Sequence, residues 1–197
     1  MGVIGLTGGI ASGKTLVSDY MRKFDVDVID GDVITHDLYA PGSEILKEIA
    51  AVFGEKYILA DGNLDRTALR EQVFSDMKNK ESLERIVHPI IRREIMKALL
   101  QSEKDHQLLV LPLMIEGGYQ RWCDELWLLR VDKKCQVDRL ISRDGITRKL
   151  AEEMIASQMP FDKKRRFADR IIDNRGSREK TFYQAEKSFF RFLKKFY

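Results

Sequence analysis

Cysteine is nearly absent. Cys123 and Cys135 are the only two in 197 residues, and they show neither CxxC spacing nor the multi-cysteine framework of a small secreted domain. That argues against a disulfide-stapled scaffold and a cysteine-built metal site, and it favours reduced thiols in a cytoplasmic protein. Proline is also scarce, with four in the chain, which sets it apart from disordered and collagen-like sequences. No apolar run approaches the roughly 20 residues that span a bilayer. The first residues enter a glycine loop too early to form a signal peptide, and Leu6 stands where a myristoylation signal needs Ser or Thr. Neither sign of charge dominates. Thirty-four Lys and Arg against 31 Asp and Glu leave a net charge of +3, a weak argument for a nucleic-acid partner.

What is present is an α/β pattern. With 44% hydrophobic and 33% charged residues, the chain is expected to be one globular domain, 1–197, that buries its own core. Short apolar runs alternate with longer helical ones, as in βαβ units around a parallel sheet. Five strands are expected at Val3 to Leu6, Val26 to Ile29, Leu108 to Leu113, Glu125 to Val131 and Arg170 to Asp173. They are apolar throughout rather than alternating, as strands covered on both faces should be. Helical periodicity fills about 33–106, with helices over Ser43 to Phe53 (closed by Gly54), Arg66 to Phe74, and Glu81 to Leu100 broken before Pro89. This stretch is too long for a crossover and reads as an inserted helical subdomain. A basic helical excursion over about 133–167 reads as a lid, leaving a core of about 1–32, 107–132 and 168–197. No internal repeat is visible.

Gly8-Gly9-Ile10-Ala11-Ser12-Gly13-Lys14-Thr15 matches G-x-x-x-x-G-K-[ST] at every fixed position, directly after an apolar strand and before a helix-forming run. Glycines let successive N–H groups turn inward around phosphate oxygens, and a helix start adds positive potential. In such a loop Lys14 bridges the β- and γ-phosphates and Thr15 places its hydroxyl on Mg²⁺.

The motif alone leaves a kinase, a GTPase and an ATP-driven machine open. No Asp ends the third strand, where Leu111-Pro112-Leu113 stands, and no guanine-reading N-K-x-D occurs, so a switch protein is disfavoured. Acidic groups instead follow the second strand in Asp30-Gly31-Asp32, where a parallel strand delivers its C-terminal end to the ligand crevice. A carboxylate there can accept the proton of an attacking hydroxyl or hold Mg²⁺. Asp32 is the candidate base and Asp30 the second, against the plainer reading that both cap a turn. Arg139 and Arg143 share a helical face and can meet one phosphate cluster, although either can equally be a solvated charge.

In that order the residues resemble the dephospho-coenzyme A kinases, within the nucleoside-monophosphate-kinase-like group of P-loop proteins. The resemblance runs from about Val3 to Gly176. It is carried by Gly5-Leu6-Thr7-Gly8-Gly9-Ile10, by Val28-Ile29-Asp30-Gly31-Asp32, by Gly62-Asn63-Leu64-Asp65-Arg66 with Leu69-Arg70 and Val73-Phe74, and by Ile86-Val87-His88-Pro89. Pro112-Leu113-Met114-Ile115-Glu116 follows, then Gln136, Arg139, Arg143, Gln158, Lys164, Ala168-Asp169 and Asp173-Asn174. The resemblance implies a three-layer α/β/α P-loop fold with a five-stranded parallel sheet, a helical insertion on the coenzyme A side and a lid. It implies ATP-dependent phosphorylation of the ribose 3′-hydroxyl of dephospho-coenzyme A, with Mg²⁺, as the last step of coenzyme A synthesis. Asp32 then looks like the base, and Lys14 and Arg143 like transition-state stabilisers. Gly8, Gly9, Ala11, Ser12, Gly13, Lys14, Thr15, Leu16, Arg139 and Asn174 fall on the ATP side; Asp30, Arg66, Arg70 and Glu116 on the acceptor side; Thr15 and Asp32 at the metal. The expected partners are the two small-molecule substrates, with no nucleic acid and no membrane, around a monomer or weak homo-oligomer.

Three positions depart from the family pattern. Ala11 replaces a usual glycine, Gly31 a usual alanine, and Arg170 an apolar or aromatic residue, which leaves the details of adenine packing open. His88, before Pro89, is expected to be a structural residue at a helix start. Phe182, Phe189, Phe190, Phe192, Leu193 and Phe196 among lysines could suggest a membrane-surface helix, but a helix covering the sheet flank is the better reading.

Overall fold

The apolar strand segments assemble into one fully parallel sheet. In the computed structural model, which describes residues 2–196 apart from the side chains of Phe74, Ser75 and Met77, the strands are β1 (Gly2–Gly8), β2 (Asp27–Asp30), β3 (His106–Val110), β4 (Glu125–Arg130) and β5 (Arg170–Asp173). Their order is β2-β3-β1-β4-β5, with Gly5 of the central strand between Leu109 and Leu126. All five expected strands are present within a few residues. The largest shift is in β3, which starts at His106 and ends before Leu111. Pro112 has no N–H for the ladder, and the last bond on that side runs from Leu111 N to Leu6 O at 3.1 Å. At its start β3 buries two polar residues: Gln107 is satisfied by the Lys104 carbonyl at 2.9 Å, and the His106 ring packs among those of Phe189, Phe192 and Phe196.

The helices are α1 (Lys14–Met21), α2 (Gly31–Asp37), α3 (Glu44–Phe53), α4 (Arg66–Ser75), α5 (Met77–Gln101), α6 (Lys133–Asp144), α7 (Arg148–Ala156), α8 (Phe161–Lys164) and α9 (Arg178–Leu193). Local chemistry sets their ends. Ser43 accepts the Leu46 N–H at the start of α3, Asp65 accepts the Ala68 N–H at the start of α4, and Gly54, at φ 106°, ends α3 in a conformation that disfavours a Cβ. The expected break at Pro89 does not occur: α5 runs 25 residues through it. Proline removes one N–H, the partner of the Arg85 carbonyl, but Val87, Ile90, Ile95 and Leu99 are buried along the same helix and hold the turns on either side. His88 is therefore an exposed residue in mid-helix rather than at a helix start.

The chain divides into two compact units, one of residues 2–30 and 102–196, the other Gly31–Gln101. In the first, Ile4, Leu6, Leu108, Val110, Trp127, Leu129 and Ile172 of the sheet pack with Val17 and Met21 of α1 and Ala185, Phe189 and Phe192 of α9. The buried residues of α9 (Thr181, Ala185, Ser188, Phe189 and Phe192) fall at helical spacing on one stripe, so the aromatic tail covers the sheet as expected. Phe189 and Phe192 are 3% and 0% exposed, and burying each contributes on the order of 2–3 kcal/mol. A smaller core of Val137, Leu140 and Ala151 in α6 and α7 also takes in Ile10 and Ala11. The second unit has its own core, built on Ile45, Leu46, Ile49, Tyr57, Leu69, Val87 and Ile90. Among the described residues no helix is long and apolar enough to cross a membrane.

Candidate active site

The glycine loop lies at the C-terminal end of the central strand, between β1 and α1. Two residues take positive φ. Gly13, at 95°, turns the chain into α1, and a Cβ there would lie 2.2 Å from the Asn174 amide nitrogen. Ala11, the departure from the family glycine, sits at φ 56°, a left-handed conformation that costs a residue with a Cβ about 1 kcal/mol. The alanine thus occupies a glycine conformation. The Lys14 ammonium lies 3.3 Å from the carbonyls of both Gly8 and Gly9, folded back over the loop, and Thr15 is exposed on the first turn of α1.

Side chains from distant segments hold the loop's backbone. Gln136 of α6 donates to the Ile10 carbonyl and Gln158, after α7, accepts from the Ile10 N–H, each at 2.7 Å. Arg139 donates to the Ala11 carbonyl at 3.0 Å. Asn174, after β5, donates to the Ser12 carbonyl at 2.7 Å and is oriented by the Thr181 hydroxyl at 3.0 Å from its own oxygen. Three successive carbonyls are thereby bound by protein donors; a carbonyl turned toward an anion would repel it, whereas inward N–H groups attract it. Ser12 is fully buried, and its hydroxyl has no hydrogen-bond partner among the described residues. Arg139 and Asn174, expected from the sequence, are thus at the loop. Gln136 and Gln158 stood in the family pattern without a role, and Thr181 carried no sequence signal at all.

Arg143 and Glu116 are placed differently. The Arg143 guanidinium is bidentate on its neighbour Asp144, at 2.6 and 2.8 Å, while Arg139, one turn earlier, reaches the loop. That hydrogen bonding pushes the Arg143 pKa up and the Asp144 carboxyl down. Glu116 accepts from the ammonium of Lys164, 1% exposed, at 3.0 Å and from the Met159 N–H at 3.1 Å; Lys164 also donates to the Pro112 carbonyl. Glu116 therefore ties the segment after α7 to the segment after β3. Leu16 is half-buried on α1.

The acidic pair spans the join between the units. Asp30 is the last residue of β2, in register with Val110, and Asp32 is the second residue of α2, exposed in a helical first turn that favours a carboxylate. In the second unit Arg66 and Arg70 are both exposed on α4, one turn apart. The Arg66 guanidinium stands 5.2 Å over the Tyr39 ring. Burial raises the Tyr39 phenol's pKa, and the arginine's charge opposes the rise.

Arg170 is engaged away from the loop. It opens β5, and its partner Glu125 opens β4, so in a parallel sheet the pair sits at the edge opposite the loop. Glu125, 1% exposed, also binds the Lys195 ammonium and the Trp127 indole N–H. Burial pushes its carboxyl up, but bonds from Lys195, Trp127 and Arg170 outweigh that and hold it below the ordinary value. Burial, then the charge of Asp124, pushes the Cys123 thiol up to about 12, which leaves it protonated near neutral pH.

Strand order 2-3-1-4-5, a phosphate loop after the central strand and a lysine over it define the P-loop fold that ATP-using kinases have. The structure of a shikimate kinase from Acinetobacter baumannii in complex with shikimate shares this fold, with a TM-score of 0.56 at 16% identity over 99% of this chain and 94% of that one. The dephospho-CoA kinase family profile matches residues 2–180, and the chain belongs to that family. It is 45% identical over 189 residues to a dephospho-CoA kinase of Symbiobacterium thermophilum, covering 94% of this chain and 79% of the relative. The structure of dephospho-CoA kinase from Campylobacter jejuni superposes with a TM-score of 0.71 at 25% identity, over 99% and 98% of the two chains.

Proposed function

We propose that the chain transfers the γ-phosphoryl group of ATP to the ribose 3′-hydroxyl of dephospho-coenzyme A, with the phosphate loop as the nucleotide site. The observation that carries this reading is the loop itself, with the Lys14 ammonium folded over it and three of its carbonyls bound by protein donors. Backbone N–H groups and the α1 terminus bind phosphate oxygens, and Lys14 neutralises charge on the transferring group. Gly8, Gly9, Ala11, Ser12, Gly13, Thr15 and Leu16 line the nucleotide side with Arg139 and Asn174. Asp32 accepts the proton of the attacking hydroxyl, while Asp30, Arg66, Arg70 and Glu116 serve the acceptor side. Arg143 reaches the phosphates after leaving Asp144.

Mg²⁺ takes oxygen donors, keeps several waters and uses one or two protein ligands. The exposed hydroxyl of Thr15 and the carboxylate of Asp32 are donors of that kind, so these residues fit the ion; when bound, it neutralises phosphate charge. We place the enzyme in the cytoplasm as a monomer or weak homo-oligomer, acting on small molecules and on neither nucleic acid nor membrane.

The test is ADP release from Mg-ATP by the purified protein with dephospho-coenzyme A, nucleoside monophosphates or shikimate as acceptor. Turnover with dephospho-coenzyme A alone, yielding coenzyme A, is expected. Turnover only on another acceptor would retain the kinase and discard this acceptor.

A further inference from the structure

We propose that Gln136 and Gln158 are positioning residues for the nucleotide: one amide donor and one amide acceptor that grip the same loop residue, Ile10, from two separate elements. The shape of the phosphate loop then depends on how the segment from α6 to α8 is seated.

The two bonds have opposite polarity. Gln136 uses its NH₂ on the Ile10 carbonyl, and Gln158 uses its oxygen on the Ile10 N–H. Gln136 is 9% exposed, and a Cβ at Gly9 would lie 2.6 Å from its amide nitrogen, so a side chain at Gly9 would push this glutamine out of its place. Ile10 and Ala11 also pack on the cluster of Val137, Leu140 and Ala151, which places the loop beside α6 and α7. Gln158 is itself anchored through its neighbour. The Met159 N–H donates to Glu116, buried Lys164 bonds Glu116 and the Pro112 carbonyl, and the Thr7 hydroxyl reaches that same carbonyl at 3.3 Å. A continuous run of bonds therefore joins the strand ends, the segment after α7 and one residue of the loop. With its N–H given to Gln158 and its carbonyl drawn to Gln136, the Ile10 peptide groups are committed to protein, which fixes the curvature of the loop that follows.

The inference rests on the loop being the ATP site, and four variants with a control separate the two claims. Met matches glutamine in length but can neither accept nor donate, and Glu can accept but not donate. KM for each substrate and kcat are measured in high salt, which weakens long-range repulsion between a new carboxylate and the nucleotide, and melting temperatures confirm folding. Gln136→Met and Gln158→Met should each raise KM for ATP about tenfold, the effect of one buried hydrogen bond lost. KM for dephospho-coenzyme A should stay within about twofold, well under that single-bond effect. Gln158→Glu should return KM for ATP to within about threefold of the parent because its acceptor is restored. Gln136→Glu should stay as impaired as the Met variant. Equal behaviour of the two Glu variants, or an unchanged KM for ATP in both Met variants, overturns the clamp. Lys14→Ala is the control: ATP use that survives it sinks the nucleotide site itself, whereas loss there beside unaffected glutamine variants overturns the clamp alone.

Discussion

The two units expose their functional groups in opposite ways. In the first, the phosphate loop is wired from outside: Ile10, Ala11 and Ser12 each have a backbone group bound by a side chain from another segment, and Asn174 is itself held by Thr181. In the second, the candidate groups Asp32 and Arg66 are exposed on the first turns of short helices, with Arg70 one turn further along, over a separate apolar core. On the proposed reading, the difference follows from what the phosphate loop and the exposed arginines each bind. Triphosphate is the same in every turnover, so a rigid nest of N–H groups can be built once and locked. An acceptor is met by long, charged side chains whose reach and pairing set selectivity.

The comparison breaks first at chemistry. Lys14→Ala should lower kcat by about 10²–10³. Asp32→Asn should lower it by about 10²–10⁴ with ATP affinity unchanged, as befits a lost base; near-normal turnover in Asp32→Asn would remove it from that role. Next comes the acceptor half: Arg70→Ala should raise KM for dephospho-coenzyme A about tenfold, the scale of a lost charge-assisted bond, and leave KM for ATP alone. A shift in KM for ATP instead would erase the division of labour drawn between the units.

A third experiment tests the first unit away from the site. The Glu125 carboxyl is held below its ordinary value in the fold, so its contribution to stability is complete above the unfolded-state pKa of 4.5 and is lost as pH falls below it. Glu125→Gln should cost about 2 kcal/mol near neutral pH, less than a fully buried pair because Arg170 and Lys195 are partly exposed. It should also flatten the acid limb of a plot of melting temperature against pH; an unchanged limb would show that another group dominates acid unfolding. The smallest effect is expected from Ala11→Gly. Relief of about 1 kcal/mol of left-handed strain is offset by the entropy of a new glycine, so stability should move by less than about 1 kcal/mol. A loss of several degrees would show that the alanine methyl matters to the core of α6 and α7.

Much of this was legible in the chain. The five strands are visible because parallel strands buried on both faces need unbroken apolar runs, and the loop is visible because turning N–H groups onto a phosphate demands glycines at set intervals. Ser43 and Gly54 marked the ends of α3 through a capping side chain and backbone freedom. Pro89 misled because a local rule met tertiary packing: buried residues on either side of the missing N–H outweigh one lost hydrogen bond. Arg170 was read correctly at the start of its strand, but its partner, Glu125, lies 45 positions away, and no local pattern pointed to it.

The sequence alone settled the order of strands, loop and helices, the identity of the phosphate loop and the carboxylates that follow the second strand. Those are matters of period, propensity and short spacing, which neighbouring residues encode. Only the tertiary structure decided what holds the loop: the partners of Ile10, Ala11 and Ser12 lie 126 to 162 positions away, and strand order and helix seating bring them together. A hydrogen bond acts over about 3 Å, and no local pattern in a chain specifies which distant donor will stand that close.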